Sequence, residues 1–247
     1  MRDKCLIIGH RGSPGKPRFA ENTLGSFDKA LREGANGIEL DMRQARCGTL
    51  VVRHDADLRT ASGFGEVSDY THAQLRKLDV GGGRRIPTLH EVIEKFQSSS
   101  FNFINIELKE AGLARRVAYI VERQRPTLWK SIVVSAFDKD DEDEDASTSW
   151  SELGEISHRV QVGLLTSGKK CRRIGAYDYV HMARAFGAVS IHPHYSAVTP
   201  RLVHLAHRNG LRVYAWTANH PLLVRYLRIV GVDGIITDFP GRFARTA

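Results

Sequence analysis

At 247 residues, with 42% hydrophobic and 26% charged residues, the chain carries enough apolar material for a large core and is not composed like a disordered polymer. No apolar run approaches the roughly 20 residues that span a bilayer, and Cys5, Cys47 and Cys171 signal neither a disulfide framework nor a zinc site. A net charge of +8 favours anionic partners, but the arginines are scattered without interleaved aromatics, and no nucleic-acid motif accompanies them.

The first residues, Met1-Arg2-Asp3-Lys4, lead straight into Cys5-Leu6-Ile7-Ile8. That run is too short for the apolar region of a signal peptide and reads as a first strand, so the expected setting is reduced and cytoplasmic. Strand-like runs then recur at Gly37–Met42, Phe103–Leu108, Ser131–Ser135, Val160–Leu165, Ala188–His192, Leu211–Trp216 and Gly234–Thr237. Most are near-continuously apolar, as parallel strands buried on both faces require. Helical patterns fall between them. Thr23–Glu33 puts Leu24, Phe27, Ala30 and Leu31 on one stripe, and Gly34 stops it. Thr199-Pro200 is a cap followed by a proline at the first helical position, and Gly210 ends that helix. Asn219 to Pro221 opens another, expected to turn Leu222, Leu223, Tyr226 and Leu227 inward.

Eight strands alternating with helices predict a single α/β domain over 1–247, a (β/α)₈ TIM barrel with a small insertion after the second strand. No Gly-x-Gly-x-x-Gly follows the first strand, which counts against a dinucleotide fold. The insertion covers 43–88, begins with a hairpin strand at Thr49–Arg53, and is expected at the C-terminal mouth, where barrel enzymes build their active sites. Residues 138–145 hold seven acids and one lysine, so the remainder of the chain carries +14. This acidic run reads as a solvated loop or helix start.

The chemistry lies at strand ends. The pentad Ile38-Glu39-Leu40-Asp41-Met42 alternates, so Glu39 and Asp41 share one face of a strand, about 7 Å apart. Two carboxylates so placed repel unless a cation lies between them, and oxygen donors select hard divalent metals. His10-Arg11-Gly12 ends the first strand, His54-Asp55 the hairpin, Glu107 and Lys109 share a face of the third, and Trp216 and Asp238 close the seventh and eighth. Singly, each has a plain structural explanation: a wet strand face, an ion pair, barrel packing. Together they converge on one rim.

His10-Arg11-Gly12, Glu21-Asn22-Thr23, Glu39-Leu40-Asp41, His54-Asp55, Ile86-Pro87-Thr88-Leu89, Ile106-Glu107-Leu108-Lys109 and Trp216-Thr217-Ala218-Asn219 resemble the glycerophosphodiester phosphodiesterase family, in order, from Ile7 to Phe239. Ala20 stands where the family often has proline, and the acidic run is no family motif. The resemblance implies a TIM barrel with an inserted segment and hydrolysis of glycerophosphodiesters to sn-glycerol 3-phosphate and an alcohol. It implies Glu39, Asp41 and Glu107 as ligands of a divalent metal, Mg²⁺ or Ca²⁺ with Mn²⁺ also compatible. His10 and His54 would be the general acid and base; Arg11 and Lys109 would hold phosphate, with Glu21 and Trp216 on the substrate side. The expected partner is a small glycerophosphodiester, with no nucleic acid and no stable membrane insertion; oligomeric state stays open. Two rivals remain at this stage: a related barrel of the sphingomyelinase D or phospholipase D type, and a non-catalytic phosphate- or nucleic-acid-binding protein.

Overall fold

Strands apolar on both faces must be covered twice, and in this chain the sheet meets that demand by closing on itself inside a ring of helices. The computed structural model describes residues 5–15, 20–58, 64–97, 103–124, 126–141 and 150–244. The strands are β1 (Leu6–Gly9), β2 (Gly37–Gln44), β3 (Leu50–Val52), β4 (Phe103–Leu108), β5 (Ile132–Ala136), β6 (Gln161–Thr166), β7 (Ser190–Pro193), β8 (Arg212–Ala215) and β9 (Gly234–Thr237). The helices are α1 (Leu24–Arg32), α2 (His72–Leu75), α3 (Leu89–Phe96), α4 (Ala114–Val121), α5 (Pro126–Trp129), α6 (Trp150–Ile156), α7 (Gly168–Ala185), α8 (Pro200–Arg208), α9 (Pro221–Val230) and α10 (Pro240–Phe243). Parallel pairing runs β1-β9-β8-β7-β6-β5-β4-β2, and β1 pairs β2 through Ile8 with Gly37, so eight strands form a closed barrel. β3 is the addition, antiparallel to β2 with Met42 opposite Val52.

Period-two alternation decides what each strand side chain meets. Ile38, Leu40 and Met42 of β2 and Ile104, Ile106 and Leu108 of β4 point outward into the core shared with the helices. Each fully buried aliphatic chain there contributes about 1.5–3 kcal/mol. Inside the barrel, Ile8, Phe103, Val133, Tyr214 and Ile236 form a separate apolar cluster, with the Phe103 and Tyr214 rings 4.5 Å apart. Along β4 the interior then turns polar: Asn105 and Glu107 follow Phe103 on the inward face, next to Ser135 of β5.

Helix starts follow local chemistry. Thr23 caps α1 in a box with Ser26, Thr88 caps α3 with Glu91, and Thr199 caps α8 ahead of Pro200. α9 departs from expectation. His220 caps it, and Leu222 and Tyr226, expected inward, are exposed while Val224 and Leu227 are buried. Asn219 lies before the helix, where its side chain donates to Asp238 and accepts from the Thr237 hydroxyl.

The segment 43–88 carries β3, α2 and its own apolar cluster of Ala45, Val51, Leu58, Val67, Leu75, Leu78 and Ile86. Asp79 gathers the backbone N–H groups of Gly81, Gly83 and Arg84, which fixes the glycine-rich turn. At the start of the acidic run, the solvated reading fails for two residues. Lys170 Nζ donates to Asp138 at 2.8 Å, and buried Asp141 accepts from the Ser167 N–H at 3.1 Å at the start of α7. Residues 142–149 lie outside the described residues. Among those described, Cys5, Cys47 and Cys171 are free, and no helix is long and apolar enough to cross a membrane.

Candidate active site

The register of β2 on β4 assembles the acidic centre. Asp41 lies opposite Glu107 and Glu39 opposite Asn105, all on the inward face. The Glu39, Asp41 and Glu107 carboxylates present oxygens within 4.8 Å of one another, and all three are buried. Two cations lean on them. Lys109 Nζ is 2.7 Å from Glu107 and 3.6 Å from Asp41, and Arg11 Nε is 3.4 Å from Asp41.

The three acids respond differently. Burial, then the charges of Asp41 and Glu107, push the Glu39 carboxyl well above its ordinary range. Burial also raises Glu107, only partly offset by Lys109. Burial would raise Asp41 as well, but Lys109, Arg11 and His54 outweigh it and hold it low. Glu39 Oε1 receives no hydrogen bond from the described residues. Three buried carboxylates crowd together here while Arg11 is shared with Glu21, and an all-oxygen donor set fits a hard divalent cation.

The turn His10-Arg11-Gly12 brings the first imidazole and guanidinium to this centre. Arg11 adopts φ 52° and Asn22 φ 55°, left-handed conformations uncommon outside glycine. Hydrogen bonds hold them there. The Arg11 N–H donates to Glu39 at 2.8 Å, and the Arg11 carbonyl accepts from the Asn22 N–H at 3.0 Å and Ser26 Oγ at 2.9 Å. The Glu21-Asn22-Thr23 motif thus has three separate tasks. Glu21 accepts from Arg11 Nη1 at 3.0 Å, the Asn22 amide donates to Asp41 at 2.7 Å, and Thr23 caps α1.

Both histidines carry a carboxylate on Nδ1. His10 Nδ1 lies 2.7 Å from Asp238 Oδ1, whose other oxygen accepts from the Asn219 amide at 2.6 Å. His54 Nδ1 lies 2.8 Å from Asp55. A carboxylate there keeps the proton on Nδ1 and leaves Nε2 to work. His10 Nε2 is 4.0 Å from Glu39. Buried Arg43 steadies the His54 loop, donating from Nε to the His54 carbonyl at 2.6 Å while pairing with Glu110.

One cavity of about 60 Å³ is lined by His10, Arg11, Glu39, His54, Glu107, Lys109 and Trp216, together with Asn105, Phe137, Leu165 and Ile236. Larger cavities lie elsewhere, among them one of about 240 Å³ beside Arg84 and one of about 300 Å³ beside Lys29 and Glu33, and neither is lined by a histidine. Trp216 forms a wall: its indole N–H donates to the His192 carbonyl at 2.7 Å, and its ring meets Phe137 edge-on at 5.3 Å. Asp41 and Glu21 are not among the lining residues; Asp41 contacts Lys109 and Glu21 contacts Arg11 behind the wall. Sequence reasoning assigned no role to Asn22, Asp55, Asn105, Asn219 or Phe137. Asp238 was visible as a strand-end acid, but nothing local paired it with His10.

The sequence model of the glycerophosphoryl diester phosphodiesterase family matches residues 10–242. A glycerophosphodiester phosphodiesterase of Caldanaerobacter subterraneus is 32% identical over 96% of this chain and 95% of its own length. The crystal structure of the Thermotoga maritima glycerophosphodiester phosphodiesterase superposes with a TM-score of 0.80 at 29% identity, covering all of both chains. A phosphodiesterase of Oleispira antarctica, solved in complex with the product sn-glycerol-3-phosphate, is 25% identical, with a TM-score of 0.78 over 98% of this chain and 97% of that one.

Proposed function

The chain belongs to the glycerophosphoryl diester phosphodiesterase family and is a phosphoric diester hydrolase; from that premise we propose a metal-dependent reaction in which His10 and His54 are the acid–base pair. The substrate is a glycerophosphodiester and the products are sn-glycerol 3-phosphate and an alcohol. The product named in the Oleispira antarctica complex supports this choice. One observation carries the reading: two imidazoles, each with a carboxylate on Nδ1, border a buried cluster of three carboxylates.

Glu39, Asp41 and Glu107 would hold Mg²⁺, Ca²⁺ or Mn²⁺. When bound, such an ion supplies Lewis-acid stabilisation of charge on the non-bridging phosphoryl oxygens. This chain's own groups do the rest. Arg11 and Lys109 lie on the cavity wall as fixed cations for the phosphate, and Glu21 aims the Arg11 guanidinium. One imidazole Nε2 takes the proton of the attacking hydroxyl as its oxygen bonds to phosphorus. The other, protonated, gives its proton to the alkoxide as the ester P–O bond breaks. The attacking hydroxyl is water or the substrate's glycerol 2-hydroxyl, and accumulation of a cyclic phosphate distinguishes the second. Trp216 and Phe137 form the apolar wall that limits water around the reacting phosphate. The three free cysteines favour a cytoplasmic setting.

Turnover of glycerophosphocholine and glycerophosphoglycerol, before and after chelation, tests this reading. Release of sn-glycerol 3-phosphate, lost in chelator and restored by a divalent cation, is the expected result. Full turnover in excess chelator overturns the metal assignment, and no turnover of any glycerophosphodiester overturns the substrate.

A further inference from the structure

Helix α9 is apolar on both sides. Val224 and Leu227 face the barrel, while Leu222 and Ile229 are 70% and 73% exposed and Tyr226 is 42% exposed. These three stand at i, i+4 and i+7, one continuous stripe on the outer surface. Three exposed apolar side chains in one stripe form an outer face that calls for a covering partner. The surrounding charge says which kind. From Thr199 to Ala244 the chain has six arginines, no lysine and two acids, Asp233 and Asp238. Both acids are engaged, Asp233 by His207 and the Val213 N–H, Asp238 by His10 and Asn219.

Beside the stripe, a groove of about 520 Å³ is lined by Arg225, Arg228 and Arg242 together with Val224, Ile229 and Phe243. Arg228 donates to the Phe243 carbonyl at 2.8 Å, and apolar walls mixed with the Arg225 and Arg242 guanidiniums suit a molecule that is anionic at one end and apolar at the other. A second copy does not fit. A two-fold contact sets a patch against itself, which here places arginine against arginine. Pro221 and Leu222 follow the C-terminal end of β8, so the face borders the mouth.

We infer that the α9–α10 face docks on an anionic lipid surface. Leu222, Tyr226 and Ile229 enter the headgroup–acyl boundary, and Arg225 and Arg242 meet lipid phosphates. This is peripheral binding, with no segment crossing the bilayer.

Co-sedimentation with vesicles of mixed phosphatidylglycerol and phosphatidylcholine, against phosphatidylcholine alone, tests it without using catalysis. The protein should pellet with the anionic vesicles and be released as salt rises. Arg225→Gln with Arg242→Gln should weaken binding about 25-fold, about five-fold for each charge. Leu222→Ser with Ile229→Ser should weaken it at least about tenfold while circular dichroism stays unchanged, since both side chains are exposed. No pelleting with anionic vesicles, equal pelleting with neutral ones, or unchanged binding in both double variants overturns the inference. So does displacement by inorganic phosphate at matched ionic strength, which would mark a free-anion site. A dimer in sedimentation velocity that the Leu222→Ser, Ile229→Ser variant dissolves assigns the face to a second copy and overturns it as well.

Discussion

His10 and Asp238 stand 228 positions apart in the chain and 2.7 Å apart in the barrel. The β1–β9 pairing creates this relationship, since Gly9 aligns with Thr237 and His10 and Asp238 are each the next residue along the chain. Asp238 is in turn held by the Asn219 amide and by its own N–H to Asn219 Oδ1. The imidazole is therefore positioned by a chain of hydrogen bonds anchored at two strand ends. Replacing Asp238 by Asn puts an amide where Nδ1–H needs an acceptor. The expected loss in kcat is roughly 10²–10³-fold. Metal affinity and melting temperature should stay near wild type, which separates loss of positioning from loss of fold.

Asp238 also sets a pH dependence of stability. Burial would raise its carboxyl, but the hydrogen bond and charge of His10, with the Asn219 amide, hold it below the ordinary value. A carboxyl lowered on folding stabilises the protein above its unfolded pKa of about 3.9 and loses that contribution as pH falls through the folded value. Urea midpoints measured from pH 6 down to 3 should therefore fall less steeply in Asp238→Asn than in wild type. Parallel curves would mean that Asp238 is not coupled to His10 in solution.

The acidic centre predicts opposite effects on the metal-free and metal-loaded protein. Glu39 is raised by burial and by its acidic neighbours, so its charge opposes folding when no cation is present. Glu39→Gln removes that charge and should leave the metal-free melting temperature unchanged or higher. The same substitution should erase the thermal shift that Mg²⁺ or Mn²⁺ produces in wild type. Glu107→Gln should weaken that shift while leaving Lys109 without its closest carboxylate. A full metal-induced shift in Glu39→Gln would place the cation elsewhere.

Much of this was legible because period-two patterning is local. Glu39 and Asp41 share a face by spacing alone, and the eight barrel strands emerged from their apolar runs. Three features were not. The Asp238 partner needs the closed barrel, which no local window contains. The outward stripe of α9 was misread because Leu222, Leu223, Tyr226 and Leu227 are apolar around more than one side of the helix, and patterning alone does not say which side meets the barrel. Asp138 and Asp141 looked solvated because composition cannot reveal Lys170 or the Ser167 N–H waiting in the next element.

That last correction changes what the acidic run tolerates. Asp141 is buried and accepts from Ser167, so Asp141→Ala should cost about 1–3 kcal/mol of stability by leaving a buried donor unpaired. Replacing 142–145 by a Gly/Ser linker, with Asp138 and Asp141 kept, should leave activity within a few-fold, since seven acids over eight residues offer little apolar surface to bury. Chemical denaturation of the two variants side by side checks the contrast; equal losses would mean that the anchor is not Asp141.

In the proposed mechanism the histidines divide their work, and leaving-group chemistry can show how. Both Nδ1 atoms are occupied by carboxylates, so each imidazole has one working nitrogen, and the symmetry gives no assignment by itself. Removing either should cost roughly 10²–10⁴ in rate, equivalent to about 3–5 kcal/mol of barrier, on glycerophosphocholine. A general acid matters only when the departing alkoxide is a poor leaving group. With a glycerophosphate ester of nitrophenol, the departing oxygen needs no proton. One of His10→Ala and His54→Ala should then recover most of its loss, while the other stays slow because the attacking hydroxyl, of water or of substrate, must still be deprotonated. The variant that recovers identifies the acid, provided that chemistry limits turnover, which a pre-steady-state burst would contradict. Near-normal activity of both variants on the natural substrate would remove the pair from the mechanism. Equal recovery of both would keep the site and discard the division of labour.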